Sequence, residues 1–166
     1  PQELAARTRP YMEFRTAGFS GWNARDRSML VSTRFGNVAQ LHSVAGPLMM
    51  RRQISFEVEP LGGRWSPQGD VLAVSKDNGG DEFYQIYTLS SGRLNLLTDG
   101  KSRNEMGPWS KDGRLLGYSS TRRNGTDSDL YVIDPRNPAS NRMVAEVKGG
   151  GWGIADFAPG NRQAVV

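Results

Sequence analysis

The sequence predicts an all-β fold: a β-propeller portion of about three and a half four-stranded blades, forming an incomplete ring. Three observations carry that expectation. Trp22, Trp65 and Trp109 recur at steps of 43 and 44 residues, with Phe157 a further 48 along. Each is followed by a polar turn and then a short apolar strand, as in Trp65, Ser66-Pro67-Gln68-Gly69 and Val71 to Val74. After that come a loop rich in Gly, Asp and Asn and a strand that alternates aromatic and aliphatic residues, such as Phe83 to Leu89. A repeat in the low-to-mid forties with four strands per unit is the pattern of propeller blades.

Taken in order, the chain opens with ELAAR, too short for a helix of consequence, and RPYMEFR, whose alternation predicts a strand available to complete another blade. The first blade, residues 16–56, has predicted strands at Thr16–Trp22, Ser28–Thr33, Gln40–Val44 and Arg52–Phe56. Phe35-Gly36-Asn37 is expected to supply a left-handed residue at its second turn. The second, 63–98, has Gly63–Trp65, Asp70–Ser75, Phe83–Leu89 and Arg93–Thr98, with Ser91-Gly92 as its last hairpin. The third, 107–147, has Gly107–Trp109, Arg114–Ser120, Asp129–Asp134 and Arg142–Val147, with extra length in TRRNGTDS and PRNPASN. A fourth copy starts within 152–166, where FAPGNRQAVV repeats the turn. Trp22, Trp65 and Trp109 are expected in the core, because repeat-spaced aromatics are packing elements first; Trp152 lies off the repeat.

Composition narrows the function classes. The 166 residues contain no cysteine, so disulfides and thiolate metal sites are excluded. The net charge of +4 comes mainly from 17 arginines scattered among 17 acids, which argues against a nucleic-acid groove. Apolar runs are far shorter than the ~20 residues that span a bilayer, so no membrane partner is expected and the compartment is read as cytoplasmic. A ring that stops inside an apolar strand is expected to belong to a longer polypeptide and, alone, to self-associate through its open blade faces.

Catalytic chemistry is hard to assemble. His42, the single histidine, alternates with Leu41 in a predicted strand and reads as structural. Gly18-Phe19-Ser20-Gly21-Trp22 lacks the last glycine of a nucleophile elbow. Asp77, Asn78, Asp81 and Glu82 offer hard oxygen ligands, as do Asp127 and Asp129, but at the spacing of no calcium loop. Turn chemistry accounts for them, and for Asn124-Gly125-Thr126, so no catalytic residue, metal site or cofactor is assigned.

Four antiparallel strands per blade place the loops between second and third strands at the same end as the inter-blade segments. Arg34–Asn37, Asp77–Glu82 and Arg122–Ser128 therefore share an end with Glu57–Gly62 and Asp99–Glu105. There Asp81 and Glu82 are expected to meet Arg34, Arg103, Arg122 and Arg123 in a rim of opposite charge, the candidate interdomain or substrate-facing site.

The Trp-Ser-Pro-x-Gly turn, its apolar strand, its Asp/Gly loop and its Tyr-bearing strand resemble the repeats of TolB-type propellers. DNGGDEFYQIY (77–87) and LLTDGKSRN (96–104), with STRFGNVAQLH before and SSTRRNGTDSDLYVIDP after, resemble the N-terminal propellers of prolyl oligopeptidase family serine peptidases, close to acylaminoacyl peptidases and dipeptidyl aminopeptidases. The resemblance implies a catalytic triad in a C-terminal α/β-hydrolase domain that this chain does not contain. It also implies a propeller that gates or positions peptide substrate, with that domain and the peptide as partners. The alternative is a stand-alone TolB-type module for protein–protein interaction.

Overall fold

A computed structural model describes residues 2–166. It is all-β apart from one helix, α1 (Gln2–Met12), and holds four antiparallel sheets, none of them closed. The first comprises β1 (Ala17–Trp22), β2 (Met29–Thr33), β3 (Gln40–Val44) and β4 (Arg51–Gln53). The second comprises β5 (Gly62–Trp65), β6 (Leu72–Lys76), β7 (Gln85–Ser90) and β8 (Arg93–Leu96). The third comprises β9 (Asn104–Trp109), β10 (Leu116–Ser120), β11 (Asp129–Asp134) and β12 (Asn137–Ala145), and a ribbon of β13 (Asp156–Phe157) and β14 (Ala164–Val165) follows. In each four-stranded sheet, hydrogen-bonded neighbours are also sequence neighbours.

Three differences from the sequence reading have physical causes. ELAAR and the start of RPYMEFR, as far as Met12, form α1, and RPYMEFR makes no strand: Gln, Glu, Leu, Ala and Arg favour helix, Glu3 lies in the first turn and Arg9 in the last, and no residue of α1 is buried. In the third sheet PRNPASN is no long loop. Pro135-Arg136 alone turns the chain, and β12 runs nine residues along β11 with two register shifts. Finally, Gly36 and Asn37 keep ordinary backbone angles, while the left-handed residues of the first sheet's turns are Arg27 and Leu48.

The turn after each first strand is one motif used four times. Asn23 N–H bonds Ser28 O at 2.9 Å, Ser66 N–H bonds Val71 O at 2.8 Å, Ser110 N–H bonds Leu115 O at 2.7 Å and Ala158 N–H bonds Gln163 O at 2.9 Å. These turns are tied to one another. Asn23 Nδ2 donates to Gly69 O, Gln68 Nε2 to Asp112 O and Asn161 Nδ2 to Asp112 Oδ1, across 46, 44 and 49 residues. Gly69 and Gly113 are required here twice over: both have φ near +65° (69° and 64°), and a Cβ on either would collide with the side chain reaching over from the neighbouring turn.

Alternation along the central strands distributes the core between neighbouring sheets. Leu72 and Val74 pack with Leu30 and Leu41 of the first sheet, whereas Ala73 between them packs with Trp109, Leu116 and Tyr118 of the third. In β11, Tyr131 and Ile133 join that second cluster, while Leu130 and Val132 meet Ile154 and Phe157. The tryptophans follow the same rule. Trp109 is buried against Ala73, Ile86 and Leu97 of the preceding sheet, and Trp65 is half-buried against Leu30 and Leu41 of its own predecessor. Trp22, expected in the core, is 60% exposed, because among the described residues no sheet precedes β1.

His42 is a buried core histidine in β3. Its Nδ1 lies 3.0 Å from Gln40 O, so Nδ1 carries the proton, and Nε2 is left without a partner. Burial holds its pKa below the ordinary 6.5, with the Gln40 carbonyl acting in the opposite sense and the Arg51 charge adding to the lowering. A base depressed in the folded state leaves the fold at full stability above the unfolded value and weakens it as pH falls below about 6.5. Thermal midpoints should therefore fall on acidification from about pH 7 to about pH 5, and His42→Phe should flatten that slope. Parallel profiles for the two proteins would refute the assignment.

Candidate functional site

The end of the sheets carrying the loops between second and third strands is built by a repeated clasp. The first residue of each third strand is polar and buried: Gln40, Gln85 and Asp129, 45 and 44 residues apart. Each accepts the backbone N–H that follows its fourth strand, from Glu57, Gly100 and Val147, at 3.0 Å in every case. In the first two sheets a hydroxyl completes the clasp, Ser55 Oγ and Thr98 Oγ1 each donating at 2.7 Å. In the third sheet the acceptor is a carboxylate, and Arg123 supplies its countercharge through Nε at 2.7 Å. The Arg123 guanidinium and the Val147 N–H hold the Asp129 carboxyl below the usual range, although burial opposes this.

The inter-sheet segments are pinned at this same end, as the strand count requires. Lys76 Nζ reaches Glu59 at 3.0 Å and Glu57 at 3.4 Å, and Gly79 N–H donates to Glu59 Oε1. Burial disfavours the Lys76 charge, but the two glutamates outweigh it and keep the ammonium above its usual range. At the end of the segment leading to the third sheet, Arg103 and Thr121 exchange bonds that extend the β9–β10 pairing, and Asn104 donates across to Tyr84 O of the second sheet's loop.

A cleft of about 490 Å³ opens there, bounded by Glu82, Tyr84, Arg103, Glu105, Met106 and Ser119, with Asn104 in its wall. Asn104 turns its amide nitrogen to Tyr84 O, Gln85 Oε1 and Ser102 O, and its buried Oδ1 has no partner. Glu82 holds a left-handed φ of 60°, fixed by its N–H on Asp77 Oδ2, and the cleft is where that unusual backbone presents a carboxylate.

The charge rim expected from the sequence is only partly assembled. Among the described residues Asp81 and Glu82 form no ion pair with Arg34, Arg103, Arg122 or Arg123. Asp81 makes a local turn by accepting Phe83 N–H at 2.9 Å. Arg122 lies 3.7 Å over the Tyr131 ring and donates to Asn141, between sheets. Arg123 is committed to Asp127, Asp129 and Glu146. Arg34 is half-buried. Only Glu82 and Arg103 come together on one cleft, Arg103 standing 5.3 Å over Phe83. Sequence reasoning placed Asn104 and Glu105 at this end, within the Asp99–Glu105 segment, but gave neither of them a role in the site.

Among the described residues no group of three or more His, Asp or Glu side chains is placed to hold a metal ion. No helix is long and apolar enough to cross a membrane. No protein-family model and no curated protein matches the chain. Among solved structures it is similar to the 1.18 Å crystal structure of uncharacterized protein lmo1340 from Listeria monocytogenes EGD-e, at 14% identity and a TM-score of 0.45. That match covers 85% of this chain and 55% of the other, so the chain spans about half the length of that neighbour.

Proposed function

We propose that the sheets are consecutive blades of a TolB-type β-propeller, the non-catalytic portion of a prolyl oligopeptidase family serine peptidase, gating or positioning peptide for an α/β-hydrolase domain. The observation that carries the repeat reading is the recurrence of two separate hydrogen-bonded devices, the turn and the clasp, at opposite ends of every four-stranded sheet. The peptidase reading rests on the resemblance of DNGGDEFYQIY and its flanks. Within it, the cleft is the part of the propeller facing peptide, and Glu82 and Glu105 offer it two carboxylates with no cation paired to either among the described residues.

Two measurements test this reading. The 166-residue chain should hydrolyse no aminoacyl or dipeptidyl chromogenic substrate above background, because it assembles no nucleophile, base and acid. In a longer polypeptide that includes the hydrolase domain, Glu82→Gln with Glu105→Gln should lower kcat/KM by roughly tenfold while leaving the propeller's melting unchanged. The matching pair at the opposite end, Gln68→Ala with Arg114→Gln, should leave kcat/KM as it was. A longer polypeptide that fails to react with a serine-directed phosphonate would favour the stand-alone interaction module instead.

A further inference from the structure

The hairpins between third and fourth strands provide an internal control. The second sheet turns with Ser91-Gly92 and the third with Pro135-Arg136, two residues each. The first uses six, residues 45–50, to make the same connection. The extra residues touch only their own loop, where Met49 folds back on Gly46. Leu48, Met49 and Met50 are 107%, 60% and 93% exposed, and Leu48 takes a left-handed φ of 60°, a backbone choice that costs a bulky side chain energy and gains it no contact.

The surroundings of this tip are basic. Register places Trp22, Met29, Val44 and Arg51 in one row across the end of the sheet, so the Asn23–Ser28 turn lies at the same end as the tip. Arg25, Arg27, Arg51 and Arg52 are carried by these segments, none of them in an ion pair among the described residues, against the single carboxylate of Asp26. Arg51 is the exception: its guanidinium stands 4.2 Å over the ring of Phe35, in the loop at the other end of the sheet, so Arg25, Arg27 and Arg52 are the cations left beside the tip.

We propose that this end of the first sheet docks on an anionic bilayer surface, with Leu48, Met49 and Met50 entering the headgroup and acyl boundary and the exposed Arg25, Arg27 and Arg52 meeting lipid phosphates and carboxylates. Apolar burial and basic charge add in such contacts. The shape favours lipid over a protein partner: the tip is convex and its methionines are flexible, suited to a fluid surface rather than to one fixed pocket. A peripheral contact of this kind differs from a membrane-spanning segment, and it departs from the sequence-based expectation of no membrane partner.

The test is co-sedimentation of the chain with phosphatidylcholine vesicles, with and without about a third phosphatidylserine. Binding is expected only with phosphatidylserine present, and should weaken as salt is raised. Leu48→Ser/Met49→Ser/Met50→Ser and, separately, Arg25→Glu/Arg27→Glu should each reduce it roughly tenfold or more. Arg34→Glu/Arg103→Glu, the same charge change at the opposite end, should leave it within about twofold. The far-ultraviolet circular dichroism and melting of the serine variant should match the parent, since the three side chains are exposed and outside the core clusters. Absent binding, binding indifferent to the serine variant, or equal loss from both arginine pairs would each overturn the proposal. So would a tip that drives protein self-association without lipid affinity.

Discussion

Trp109→Ala should lower the free energy of unfolding by about 3–5 kcal/mol, read from denaturant midpoints. The side chain is 6% exposed and sits against Ala73, Ile86 and Leu97 of the preceding sheet, with its indole N–H on Arg64 O at 3.4 Å. Truncation therefore empties a space bounded by two sheets. The equivalent changes form a graded series: Trp65 is half-buried and should cost less, and Trp22, 60% exposed, should cost within about 0.5 kcal/mol. Equal costs at all three positions would mean that burial against a preceding sheet is not what distinguishes them.

That gradation marks the boundary of what the sequence carried. The strands were legible because each element agreed with its neighbours: a tryptophan, a turn closed by a left-handed residue, and an apolar run short enough to be a buried strand. β3 and β11 lie where the repeat places them, residue for residue. Burial was less legible. A repeat says which residue belongs at an inter-sheet position, whereas whether another sheet covers it depends on the neighbour, and Trp22 has none among the described residues. Local pattern also misled at the N-terminus, where Tyr11, Glu13 and the residues between them alternate like a strand while α1 takes up all but its end.

The candidate site was legible in place but not in pairing. Counting strands correctly put Glu82 and Arg103 at one end, yet arginines have long side chains and several acceptors within reach. Arg122 and Arg123 are taken by Tyr131 and by Asp129, contacts that depend on the position of β11 beneath the loop. The clasp residues escaped notice for a different reason. Gln40, Gln85 and Asp129 differ in chemistry, and a polar residue opening a strand reads as the end of a loop. Their 45- and 44-residue spacing, close to the 43 and 44 of the tryptophans, was the available signal.

The clasp yields the second large effect. Gln85 is 1% exposed and uses its whole amide: Oε1 accepts from Thr98 Oγ1, Gly100 N–H and Asn104 Nδ2, and Nε2 donates to Ser102 O and Phe83 O. Gln85→Ala leaves these groups buried with fewer partners, and at about 1–3 kcal/mol for each stranded group the variant should lose about 3 kcal/mol or more of stability. The loss should be directional as well. The segment from Thr98 to Asn104, whose last two residues line the cleft, is anchored by the groups that Gln85 holds, so amide hydrogen exchange at Gly100 and Ser102 should accelerate far more than at Leu72 to Val74 in the core of the same sheet. Thr98→Val removes only the hydroxyl arm and should cost about 1 kcal/mol, with a smaller change in exchange. If Gln85→Ala instead melts the sheet uniformly, the residue stabilises the core alone, and the clasp does not hold the wall of the cleft.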